Sequence, residues 1–144
     1  MLLCAATPLL AAMKNWAVVV GAGSKLQDVS LSDLSKLCKG TLKAWPDGKR
    51  FSLVVHNPDS PEMKSVLQKI FGLSETDLRP AVAKLTESKS FLKVVDSDED
   101  VIRAVGATPG AVGIMDVYAI NSVVKVLRVD GKLPFDAGYS LKGN

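Results

Sequence analysis

The chain is poor in the side chains that most often do chemistry. It holds two cysteines, Cys4 and Cys38, and one histidine, His56, in 144 residues. No pair of these has the spacing of zinc ligands, and two cysteines cannot build a disulfide scaffold. A structural metal, a stapled mini-domain and a bound cofactor are therefore not expected. Aromatics make up only 6% of the chain, and its net charge is +3. Lys and Arg are scattered, with no run longer than Lys49-Arg50, so a dense basic face interleaved with rings is absent and nucleic-acid binding is excluded. Apart from the leader discussed next, no segment suggests a membrane contact.

The first twelve residues, MLLCAATPLLAA, are apolar and small, unlike anything that follows. An export signal has such a core and ends in small residues, but it begins with basic residues that are missing here. The run is also shorter than the ~20 residues needed to cross a bilayer. Residues 1–13 are read as an apolar leader or the remnant of an export signal, with a start at Met13 and a disordered tail as the alternatives. Residues 14–144 form one domain on this reading, with no membrane span in the mature chain and a place of work outside the cytoplasm. The length suits one domain with a true core. Without the leader Cys38 stands alone, and its place near the apolar face of a short helix predicts a buried, inert thiol.

Nucleotide motifs are also missing. Trp16 to Val20 (WAVVV) is a β-branched run ended by Gly21-Ala22-Gly23, a strand followed by a glycine turn. A dinucleotide fingerprint needs a third glycine where Leu26 stands, and an acid near 41–45, where the sequence is TLKAW. Gly23-Ser24-Lys25 is in the wrong order for a phosphate-binding loop of the Gly-Lys-Ser type. The glycines serve a flexible turn.

What the chain does have is a regular alternation of apolar runs and capped helices. Its clearest unit is residues 51–71, FSLVVHNPDSPEMKSVLQKIF. Phe51, Leu53 and Val55 alternate with Ser52, Val54 and His56, which predicts a strand. The turn HNPDSP follows, and then a helix with Ser60 as cap, Pro61 at its first position and Glu62 where the dipole favours an acid. Met63, Val66, Leu67, Ile70 and Phe71 give that helix one apolar face. Free N–H groups at its start point toward whatever occupies the crevice above the strand.

Further strands are predicted at 16–20, 91–95, 111–115 and 123–129, with helices opened by Ser30, Ser74 and Ser97 and a helical turn at 118–122. Pro80 limits the regularity of the helix that follows Ser74. Residues 42–49, with Pro46-Asp47-Gly48, read as a loop, with Trp45 over the end of the sheet. The tail, KLPFDAGYSLKGN, has no clear period. Strands alternating with helices at this interval imply an α/β fold with a sheet covered on both faces.

Three fragments together resemble the phosphate-type substrate-binding proteins of ABC importers, which have the type 2 periplasmic-binding-protein fold. They are Val29 to Leu34 leading through Lys39-Gly40 to Trp45-Pro-Asp-Gly48, then Phe51 to His56 with Ser60, then Thr108-Pro-Gly-Ala-Val-Gly113 followed by Val124 to Gly131. The resemblance covers most of residues 16–131 and implies a single lobe, a mostly parallel sheet flanked by helices, with much of the usual first lobe missing. It also implies a non-catalytic solute-binding protein for phosphate or another small oxyanion in ABC-type uptake, periplasmic or otherwise extracytoplasmic. An ABC permease, a partner lobe or a homodimer would be its partner. The alternative is a ligand-free structural or protein-interaction module derived from one lobe.

In the family an arginine or similar residue ends the strand, and Gly-Ser-Gly-Thr opens the helix. Here His56 ends it, and Asp59-Ser60-Pro61-Glu62 follows, so only Ser60 matches. Pro61 removes one N–H donor and the two acids oppose an anion, which predicts weak binding and a preference for a singly charged species. The expected ligand-binding residues are Ser60, His56 and the backbone donors of Glu62 and Met63. Histidine is the residue type that changes charge near neutral pH, which suits an anion contact or proton partner; the other reading is a strand-end side chain bonded to loop backbone. No enzyme is expected, because Ser60 is a cap and no paired carboxylates or exposed nucleophile with an oriented base stand out.

Overall fold

The computed structural model describes residues 15–88 and 91–141; the leader expected at 1–13 lies outside them. The central strand is the apolar run foreseen near the start. β1 (Trp16–Gly21) has β5 (Ala111–Asp116) on one side and β6 (Val124–Val129) on the other, antiparallel to both. Val18 faces Ile114 in one register and Leu127 in the other. Beyond β6 lies the two-residue β2 (Asp28–Val29), and beyond β5 lie β3 (Ser52–His56) and β4 (Leu92–Val95), all in parallel pairings. The order is β2-β6-β1-β5-β3-β4, so five strands run one way and β1 alone runs against them. This is the largely parallel sheet that the alternation of elements predicts.

Period-two alternation along β1 splits the core in two. Trp16, Val18 and Val20 join one cluster, with Leu53, Val55, Ile114 and Leu127. Three helices cover that face: α1 (Leu31–Cys38), α2 (Pro61–Phe71) and α3 (Glu75–Glu87). Ala17 and Val19 point the other way, against Val101, Ile102 and Val105 of α4 (Asp98–Ala107). Gly113 of β5 lets α4 lie this close, since a Cβ there would stand 2.5 Å from Val101 Cγ1. Each helix begins at the serine expected, with Ser30, Ser60, Ser74 and Ser97 accepting from the N–H three residues on. Pro80 sits inside α3 without ending it.

Three segments differ from the sequence reading. The expected loop at 42–49 is largely a small hairpin: Ala44 bridges Arg50, Phe51 N–H donates to Lys43 O, and Trp45 N–H donates to Lys49 O. Trp45 is buried edge-on against Phe51, and its indole N–H donates to Gly110 O at 2.9 Å, which ties the hairpin to the turn before β5. The aperiodic tail is anchored by isolated residues, because Tyr139 and Leu141 are buried in the larger core and the Tyr139 hydroxyl donates to Trp16 O. β2 carries too few residues to show a period. Cys38 is buried as expected, and burial pushes its thiol up to about 12.

Candidate functional site

Parallel strands deliver helix starts to one end of a sheet, and ligands of open α/β sheets bind there. β3 ends at His56 and α2 opens four residues beyond Asn57; β4 ends at Val95 and α4 opens at Asp98. Because His56 is in register with Val95, the two helix starts are brought side by side.

The loop between β3 and α2 is a tight turn. Asn57 takes a positive φ of 52°, Pro58 follows, and Ser60 N–H donates to Asn57 O at 3.0 Å. Asparagine tolerates this conformation better than most residues. Ser60 Oγ then accepts from Met63 N–H at 3.2 Å. Thus Ser60 is the helix cap, and its own hydroxyl proton remains free to donate. The Met63 side chain is fully buried in the core, so this residue offers only an N–H, and Ser60 already holds it. Glu62 N–H has no partner among the described residues and is the open donor of the first turn.

His56 is not bonded to loop backbone. Its Nε2 lies 2.6 Å from Asp98 Oδ1, with both side chains mostly withdrawn from water. Neither atom makes a hydrogen bond of normal geometry among the described residues, so the two are in close contact without a directed bond. The Trp16 ring is tilted at 58° to the imidazole with centroids 6.5 Å apart. Asp98, one of three acids in the first turn of α4, escaped sequence reasoning. The only signal for it is the strand pairing that aligns His56 with Val95, and no local pattern encodes that.

The electrostatics of this end are mixed. Helix starts supply positive dipole ends, but Glu62, Asp98, Glu99 and Asp100 occupy their first turns. Arg103 is bound to Asp100 at 2.7 Å. Next to the loop lies a groove of about 650 Å³ lined by Pro58, Asp59, Lys64, Arg79 and Val94. Lys64 reaches Glu75 there at 3.4 Å, whereas Arg79 has no acid partner among the described residues. No group of three His, Cys, Asp or Glu side chains among the described residues could hold a metal ion. No helix among them is long and apolar enough to cross a membrane.

No family model and no curated protein matches the chain. Solved structures do. An ABC-type phosphate transport receptor from Vibrio cholerae superposes with a TM-score of 0.72 at 18% identity, over 92% of this chain and 55% of that one. PstS from Borrelia burgdorferi gives 0.69 at 21% identity, over 92% and 56%. A phosphate binding protein from Stenotrophomonas maltophilia gives 0.63 at 15% identity, over 85% and 41%. The chain therefore spans about half the length of the structures it matches, and it has the fold of a single lobe of such binding proteins.

Proposed function

We propose that this lobe binds a small oxyanion, phosphate or a close analogue, without catalysis and as part of ABC-type uptake. The observation that carries the reading is the start of α2. It stands at the carboxyl end of a parallel strand, with Glu62 N–H open, the Ser60 hydroxyl able to donate and His56 on the same unit. Unpaired helix-start donors attract an anion without needing a cluster of basic side chains. In this arrangement Ser60, His56 and the N–H groups of Glu62 and Met63 contact the ligand, Met63 by sharing its donor with Ser60. The neighbouring carboxylates of Asp59, Glu62 and Asp98 keep affinity modest and favour a singly over a doubly charged anion.

The likeness to phosphate receptors supports a role outside the cytoplasm with a permease as partner; on this reading the apolar run at 1–13 is the leader and 14–144 the working domain. Calorimetric titration with phosphate, sulfate and a neutral sugar tests the site. A variant with Asp59→Gly and Glu62→Thr moves the loop toward the family's pattern and binds the anions more tightly. No heat with either anion, in the parent and in this variant alike, would falsify the proposal.

One observation favours a second reading, a module that docks another protein and binds no ligand. Just past β5, Tyr118 is 80% exposed and lies 5.8 Å, centroid to centroid, from Phe135, itself 59% exposed. Two large rings in contact in solvent leave apolar area that a partner could cover. A dimer or a partner lobe that protects Tyr118 from solvent, together with silent anion titrations, selects this reading.

A further inference from the structure

The other end of the sheet carries a different surface. An open groove of about 680 Å³ lies before the starts of β3, β4 and β5. Its floor is apolar, with Phe51 and Phe91 in ring contact at 5.7 Å and Leu42 40% exposed on the rim. Three cations border it: Lys39 just past α1, and Lys43 and Arg50 from the two arms of the hairpin.

All three cationic residues are exposed, and none has an acid partner among the described residues. Lys39 has a local explanation, since a cation after a helix suits the dipole. Lys43 and Arg50 have none. The hairpin that presents them is held by its own ladder and by the Trp45–Gly110 hydrogen bond, so the cations sit on a fixed wall. Sequence scatter hides the cluster, because Lys39 ends a helix while Lys43 and Arg50 lie on opposite arms of a hairpin.

We infer that this groove docks an acidic protein segment carrying apolar anchor residues. Charge complementarity selects an anionic partner, the apolar floor selects one with hydrophobic side chains, and concavity selects an inserted segment over a flat membrane. The site is separate from the start of α2, so the inference stands or falls independently of anion binding.

Fluorescence anisotropy of the full chain with a short labelled peptide, Glu alternating with Leu and Phe, tests it. Saturable binding that weakens as salt rises is expected. Binding should be lost to a peptide with Lys in place of Glu, and to one with Ser in place of Leu and Phe. The triple variant Lys39→Glu, Lys43→Glu, Arg50→Glu should weaken it by roughly tenfold or more. These are exposed positions, and circular dichroism confirms the fold; Leu42→Ser weakens binding with the charges intact. The inference is overturned if the parent fails to bind, if charge reversal leaves affinity unchanged, or if the chain binds only anionic vesicles. Salt-sensitive self-association without peptide binding also overturns it, by making a second copy the occupant.

Discussion

The two ends of the sheet carry opposite side-chain charge, and each sign suits the helices that meet there. At the carboxyl end, α2 and α4 begin and acids fill their first turns. At the amino end, α1 finishes and Lys36 and Lys39 lie in or just past its last turn. Both arrangements complement helix dipoles. The acids at the carboxyl end thus serve helix stability, and the anion site proposed there has only the helix-start N–H groups, the Ser60 hydroxyl and His56 to set against them. The amino end goes further than stability requires, because Lys43 and Arg50 belong to no helix.

The largest test of this contrast is Gly110→Ala. Gly110 has a φ of 84°, and a Cβ there would collide with the Arg50 carbonyl. The substitution should cost about 3 kcal/mol, measured by denaturant unfolding, by adding backbone strain to overpacking. Trp45 fluorescence should shift red as the hairpin detaches. Anion binding at α2 should persist in the folded fraction, which would show that the two ends are built independently.

Next comes alkaline sensitivity at the C-terminal turn of α1. The Cys38 thiol is raised from 9.0 to about 12 by burial. A folded value above the unfolded one means the contribution is intact below pH 9 and is lost as pH climbs from 9 toward 12. The loss is on the order of 1 kcal/mol per pH unit across that window. Cys38→Ala should flatten the profile there relative to the parent, at the expense of some packing at neutral pH.

Smaller still is the comparison of two caps at one end. Ser60→Ala and Ser97→Ala should each destabilise by ~1 kcal/mol. Only the first should also weaken anion binding by calorimetry; equal effects on binding would mean that α4 shares the site. Asp98→Asn should change stability least, by about 0.5 kcal/mol through the dipole. It should strengthen anion binding a few-fold by freeing His56 from a competing carboxylate, and unchanged affinity would remove His56 from the site.

The sheet and its helices were legible wherever a pattern repeats. WAVVV, the 51–71 unit and the serine caps each carry several residues of signal, and the structure follows them closely. Single residues that act over distance were not legible: Tyr139 and Leu141 lock the tail without any period, and Pro46-Asp47-Gly48 named a turn but not the hairpin around it. In the candidate site the Ser60 cap could be read locally. Asp98 could not, since its approach to His56 depends on β3 and β4 aligning. The basic groove was invisible for a similar reason, as it joins Lys39 at the end of α1 to Lys43 and Arg50 on the two arms of a hairpin that was read as a loop.

The lone reversed strand has a consequence for how the molecule is made. β1 is synthesised before both of its neighbours, and β5 and β6 follow only after β3, α2, α3, β4 and α4. Trp16 waits for Asp116, and Val18 waits for Leu127. Until then WAVVV is an unpaired, β-prone apolar segment with both edges open, while β3, α2, α3 and β4 can already condense. Such long-range closure slows folding and exposes the chain to aggregation. Synthesis rate and chaperone access to residues 16–20 should therefore govern soluble yield more than the final stability of the lobe does.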